Sequence, residues 1–213
     1  MSTQIRFMAT VALVCAVWSG SARLGLSQES DSRLDAKLEA TLNVQVNAEL
    51  HSAYLYLSMA AYFESVDLQG FANWMRVQYQ EETLHGLKFF DYINQRNGRV
   101  KLTQLEGPAT EWKSPLEAFR QAYEHEKHIS KLIANLVQQS RQVGDTSTET
   151  FLQWFVTEQV EEEAQTYRIA QQLKLAGNER TALLLLDREL AQRRPPAAAA
   201  PAPAAGAAPA AVP

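Results

Sequence analysis

Glu82 and His85 stand three residues apart in the run Val77-Gln-Tyr-Gln-Glu-Glu-Thr-Leu-His85-Gly. On a helix that spacing puts a carboxylate and an imidazole on one face, about one turn apart. Phe71, Met75, Gln78, Phe89 and Tyr92 continue the same face in alternating steps of four and three, the pattern of a seam turned toward a partner helix. An ionised carboxylate on such a seam is costly unless it is paired, protonated or bound to a cation. The chemistry these residues can do is therefore metal binding.

The elements that must position them are helices. Long segments carry the 3.6-residue period instead of the alternation expected of strands, and between the two ends of the chain the only prolines are Pro108 and Pro115. The pattern predicts helix A from about Ser32 to Glu64, with Leu34, Leu38, Leu42, Glu49, Ala53 and Tyr56 facing inward. Helix B follows Asp67 and stops near Asn97-Gly98. Helix C opens at Ser114-Pro-Leu-Glu117 with a capping box and Pro at its first position, and faces inward with Leu116, Phe119, Ala122, Glu126, Ile129, Ile133 and Leu136. Helix D opens with a second capping box at Thr146-Ser-Thr-Glu149, ends near Ala176-Gly177-Asn178, and buries Leu152, Phe155, Gln159, Glu162, Thr166, Ile169 and Leu173. A shorter fifth helix covers about Thr181 to Gln192. The A–B and C–D connections are short, so each pair is an antiparallel hairpin, whereas B–C is a crossover of about sixteen residues.

Each inner face carries polar intrusions, and their spacing repeats. Glu49 and Glu82 are 33 residues apart, as are Glu126 and Gln159. At about 1.5 Å per residue this brings the polar positions of paired helices to similar heights. Glu49, Glu82-x-x-His85, Glu126 and Gln159-x-x-Glu162 then converge in the bundle interior. A lone glutamate on a helix is nearly always solvated, but coincidence on four inward seams is a different matter. Mainly oxygen donors with one imidazole suit Fe(II) or Mn(II) better than copper or structural zinc. Tyr56, two turns beyond Glu49 on the same face, can reach a ligand to hydrogen-bond it or donate an electron. His51, His125 and His128 fall off the seams and read as surface residues, while Trp74, Trp154 and Phe155 read as core packing.

The chain has 213 residues, 46% of them hydrophobic and 21% charged, with a formal charge of −4. That is enough for one sizeable core and offers no general attraction for nucleic acid or an anionic membrane. Cys15 is the only cysteine, which excludes an internal disulfide and any CxxC-based site. In residues 1–22, Arg6 precedes an apolar run to Trp18 and small residues to Ala22. This reads as an export signal cut after Ala22, with an upstream start codon or an uncleaved apolar tail as the alternatives; the run is too short to span a bilayer stably. Residues 23–31 form a linker, 32–192 the helical domain, and 193–213 a Pro/Ala-rich tail expected to be disordered.

Asn47-Ala-Glu-Leu50, Gln80-Glu-Glu-Thr-Leu-His85, Tyr123-Glu-His-Glu126, Phe151-Leu-Gln-Trp-Phe155 and Glu158-Gln-Val-Glu-Glu-Glu163 together resemble the motifs of bacterial non-haem ferritins over about residues 33–192. The resemblance implies an all-α, ferritin-like four-helix bundle with one long crossover. It implies that Glu49, Glu82 and His85 hold one iron and that Glu82, Glu126 and Glu162 hold the other, with Gln159 beside them. Glu81, Glu158 and Glu161, with Glu162 shared, match a third iron site. The implied activity is ferroxidase, Fe(II) oxidised to Fe(III) by O₂ or H₂O₂, with ferric mineral stored in a homo-oligomeric cage of twenty-four subunits. Bacterioferritin's second Glu-x-x-His is replaced here by Gln159-x-x-Glu162 and its haem-binding Met by Thr83, so no haem is expected. A di-iron oxidase or peroxidase without storage, and a non-catalytic cage subunit, stand as alternatives. Localisation lies between export and the cytoplasm usual for the family.

Overall fold

Asp35 starts the first helix by accepting the backbone N–H groups of Lys37 and Leu38 at 2.9 and 3.1 Å, donors that would otherwise have no partner in the first turn. In the computed structural model, which describes residues 33–177 and 179–195, this helix is α1 (Ala36–Ser65), followed by α2 (Gln69–Gln95), α3 (Pro115–Val143), α4 (Thr146–Ala176) and α5 (Arg180–Leu190). No strand occurs among the described residues, and the all-α bundle is borne out. Readings that concern residues 1–32 and the tail from 196 onward lie outside the described residues.

Local signals explain the boundaries. The first helix begins at Ala36 rather than near Ser32, because the Asp35 carboxylate captures the free N–H groups. Ser114 caps α3 as expected, accepting from Glu117 N, while the Glu117 carboxylate reaches back to Lys113 N at 2.6 Å. The cap of α4 is not the Thr146 box but Asp145, whose side chain accepts from Thr148 N at 2.9 Å. Arg96 pairs with Asp145 at 3.0 Å and ties the end of α2 to the start of α4. Asn97 and Gly144 adopt positive φ, at 54° and 72°, just beyond α2 and α3, the left-handed turn that ends a helix.

Burial follows the predicted seams. Each inward residue named for α1, α2 and α4 is buried, and for α3 only Leu116 is partly exposed. The apolar interior falls into two clusters along the bundle. One contains Leu38, Leu42, Phe89, Ile133 and Phe155, the other Tyr56, Phe63, Phe71, Phe119 and Ile169. On every long helix the buried acids lie in sequence between the residues of the two clusters: Glu49 on α1, Glu82 on α2, Glu126 on α3 and Glu162 on α4. A polar layer thus sits between two apolar ones, shielded from solvent at both ends.

The crossover from α2 to α3 is long, yet fixed. Asn43 and Asn47, one turn apart on α1, act as a ladder for it. Asn43 donates to Arg99 O and accepts from Lys101 N, at 3.0 and 2.6 Å. Asn47 donates to Lys101 O and accepts from Thr103 N, at 2.9 and 2.8 Å. These bonds satisfy backbone groups that form neither helix nor strand.

α5 is fastened to α2 by caps exchanged between the two helices. Leu68, at the N-cap of α2, has no side chain to offer. Asp187 of α5 supplies it instead, accepting from Gly70 N at 2.8 Å and Phe71 N at 3.0 Å. Gly70 permits the approach, since a Cβ there would lie 1.7 Å from the Asp187 carbonyl oxygen. In return, Asn73 of α2 donates to the carbonyls of Leu190, Ala191 and Arg193 at 3.1–3.4 Å.

Candidate metal centre

Two sets of ligand atoms converge in the polar layer. The donors of Glu49, Glu82 and His85 lie within 4.8 Å of one another, as do those of Glu82, Glu126 and Glu162. All five residues are buried, and Glu82 belongs to both sets. Gly86 lets α1 and α2 approach at this level: a Cβ there would meet the Leu50 side chain at 3.3 Å and Glu49 Cβ at 3.5 Å.

One oxygen of each carboxylate is held by the protein. Gln45 Nε2 donates to Glu49 Oε1 and Gln78 Nε2 to Glu82 Oε1, both at 2.8 Å. Gln78 Nε2 also lies 3.1 Å from Glu162 Oε1. Tyr56 donates its hydroxyl to Glu126 Oε1, and Gln159 Nε2 lies 3.3 Å from Glu126 Oε2. The other oxygens of Glu49, Glu82 and Glu162 have no hydrogen-bond partner. A buried carboxylate oxygen without a donor is strongly disfavoured. Three of them facing one layer match what a pair of divalent cations would satisfy, and hard oxygen donors with one imidazole fit iron.

Electrostatics point the same way. Burial, and next the charge of Glu82, push Glu49 and Glu126 well above the usual carboxylate range, and the same causes act on Glu162. Burial also opposes ionisation of Glu82, but the approach of His85, whose Nδ1 lies 3.5 Å from Glu82 Oε2, and the bond from Gln78 outweigh it and hold Glu82 low. His85 is correspondingly raised, its desolvation overcome by Glu82. These directions favour the charged form of Glu82 beside His85 and the protonated forms of Glu49, Glu126 and Glu162. Tyr56 is raised well above its ordinary value by burial and by the charge of Glu126, so it stays a donor.

The remaining candidates are arranged differently. Gln159 is buried beside Glu126, donating also to its backbone carbonyl at 3.2 Å. Glu81 is partly buried and ion-paired with Arg193, Glu158 is partly buried, and Glu161 is exposed; these three do not join either set of converging donors. His125 is partly buried and not fully exposed: its Nε2 lies 2.7 Å from Ser52 Oγ, and burial pulls its pKa down to about 4. Trp154 is not core either, being 38% exposed, because it lies at the rim of α4 edge-on to the His85 ring, with Lys88 4.1 Å above its own ring. Periodicity gave no sign of Arg193, since its partners are 112 and 115 residues away; an arginine at the edge of an otherwise Pro/Ala segment was the one visible signal.

A four-helix bundle whose interior is crossed by a layer of four glutamates and one histidine brings together groups that could hold metal ions. The Ferritin-like domain family matches residues 39–176, and the chain belongs to it. A bacterial non-heme ferritin of Bacteroides fragilis (strain 638R) is 42% identical over 160 residues, 75% of this chain and 99% of that protein. A bacterial non-heme ferritin of Staphylococcus aureus (strain MRSA252) is 36% identical over 75% of this chain and 96% of its own. Among solved structures, an open pore ferritin from the hyperthermophilic archaeon Archaeoglobus fulgidus superposes with a TM-score of 0.76 at 52% identity, covering 77% of this chain and 99% of that one. The resemblance to non-haem ferritins is thus borne out. Among the described residues, no helix is long and apolar enough to cross a membrane.

Proposed function

We propose that this protein is an iron-storage ferritin that oxidises Fe(II) at a centre built within each subunit. The observation that carries the reading is the set of three buried, unpartnered oxygens on Glu49, Glu82 and Glu162, inside two donor groups that share Glu82. Glu49, Glu82 and His85 would take one Fe(II), and Glu82, Glu126 and Glu162 the second, with Glu82 between them. Two ferrous ions side by side can deliver two electrons together. O₂ then takes both with two protons to leave H₂O₂, or H₂O₂ takes both with two protons to leave two waters. Tyr56 donates to Glu126, which supports a role in orienting that carboxylate and in supplying an electron. Gln159 steadies the same carboxylate. The apolar clusters above and below the layer limit access of bulk water, and strengthen each charge interaction inside it.

The ferric product is stored as mineral in a homo-oligomeric cage of twenty-four subunits, a reading supported by the family membership and by the non-heme ferritin relatives. Size determination of the purified protein followed by Fe(II) addition in air tests it. A particle of cage size that oxidises Fe(II) well above the protein-free rate and retains the iron is the expected result. A monomer or dimer that oxidises iron without retaining it would favour an oxidase or peroxidase instead.

A further inference from the structure

Arg193 follows α5, in the stretch that composition assigns to the tail, yet its side chain is only 15% exposed. Nη2 donates to Gln78 Oε1 at 2.8 Å and to Glu81 Oε2. Nη1 lies 3.3 Å from the Trp74 carbonyl oxygen, and the guanidinium sits 4.2 Å from the centroid of the Trp74 ring. Its backbone is held as well, since Asn73 Nδ2 donates to the Arg193 carbonyl at 3.1 Å.

The contact with Gln78 decides which way that amide faces. A guanidinium has donors and no acceptor, whereas an amide has one end of each kind. Gln78 can therefore meet Arg193 only with Oε1, and its Nε2 is left to face the centre. There it donates to Glu82 Oε1 at 2.8 Å and lies 3.1 Å from Glu162 Oε1, so one amide ties a carboxylate of α2 to one of α4. The second oxygen of each of those acids is buried and unpartnered. Turned the other way, the amide would set its oxygen against two carboxylates and its N–H groups against the guanidinium, and all three contacts would be lost as hydrogen bonds.

We propose that Arg193 is a positioning residue of the metal centre: through Gln78 it fixes which oxygens of Glu82 and Glu162 the protein occupies and which it leaves to cations. The inference rests on the two-cation reading above and adds to it a residue that touches none of the ligands. Removing an outer partner that orients metal-binding side chains typically changes affinity or activity by about 10–100-fold.

The test is a double-mutant cycle on the full-length assembled protein, with Arg193→Met, Gln78→Met and the two together. Fe(II) affinity is measured by anaerobic calorimetric titration, and the first oxidation by stopped flow in air. Each single variant is expected to assemble to wild-type size, to bind Fe(II) at least about tenfold more weakly and to oxidise it more slowly. The double variant should be no worse than Gln78→Met, because the two residues act in series. Losses that multiply in the double variant would show Arg193 acting apart from Gln78 and would overturn the proposal, as would wild-type affinity in Arg193→Met. Gln78→Met leaves Arg193 its contacts with Glu81 and Trp74, so wild-type affinity in that variant would overturn the proposal whatever Arg193→Met does to folding. Absence of tight Fe(II) binding in wild type would instead overturn the two-cation centre, and the positioning role with it.

Discussion

Glu162 has one oxygen shared with Gln78 and His85 and the other unpartnered, so its charge is a burden on the empty protein. Burial, with Glu82 and Glu126 next, raises its pKa well above the ordinary value. An acid whose folded pKa exceeds its unfolded one contributes stability that is fully present below the unfolded value, about 4.3 for glutamate, and lost as pH rises toward the folded one. The metal-free protein should therefore weaken between about pH 4.3 and neutrality. Glu162→Gln should flatten that slope and raise metal-free stability at pH 7 by on the order of 1 kcal/mol. Denaturant unfolding of both proteins across this range checks it, and a variant clearly less stable than wild type would mean that fixed protein partners satisfy the charge. Cation binding should also expel protons from Glu49, Glu126 and Glu162, read as a buffer-dependent heat in anaerobic titration; a buffer-independent heat would contradict the protonated acids. The five ligand candidates were legible in sequence because each interrupts an apolar seam. Their charge state was not, since it depends on distances between four helices. The partnership of His125 with Ser52, 73 residues apart, was hidden for the same reason.

Among the elements, α1 to α4 could be read almost to the residue, because a helix's period and its caps are local properties of the chain. The exceptions are local as well: Asp35, three residues inside the start read for helix A, and Asp145, one residue before the start read for helix D, outcompete Ser32 and Thr146 as caps. The docking of α5 was not legible, since the cap for α2 comes from Asp187, 117 residues beyond Gly70. Two substitutions separate the parts of this junction. Asp187→Ala leaves the N–H groups of Gly70 and Phe71 without their acceptor and should cost about 1 kcal/mol. Gly70→Ala drives a methyl into the α5 backbone and should cost about 1–3 kcal/mol, with α5 displaced. Thermal unfolding gives the first quantity, and amide hydrogen exchange along α5 reports the displacement. Unchanged exchange in Gly70→Ala would show that α5 is not held against α2 in this way.

At the scale of the whole molecule, the two apolar clusters and the polar layer between them divide the work. In the proposed reading, the clusters carry stability while the layer carries chemistry at a local cost in charge burial. That division predicts that a ligand can be removed without loss of the fold: Glu82→Ala should keep the wild-type assembly size, because the aromatic and aliphatic packing on either side of the layer is untouched. It should abolish fast oxidation, because Glu82 is the one residue common to both donor sets. The most direct test of the account is therefore stopped-flow measurement of the first Fe(II) oxidation, at two Fe(II) per subunit in air, on assembled wild-type and Glu82→Ala protein. The account predicts a fast initial phase in wild type and, in the variant, a fall of at least about a hundredfold, toward the protein-free rate, as expected when a metal-positioning ligand is lost. A wild-type initial rate in Glu82→Ala would contradict it and leave the polar layer as a structural network in a non-catalytic subunit.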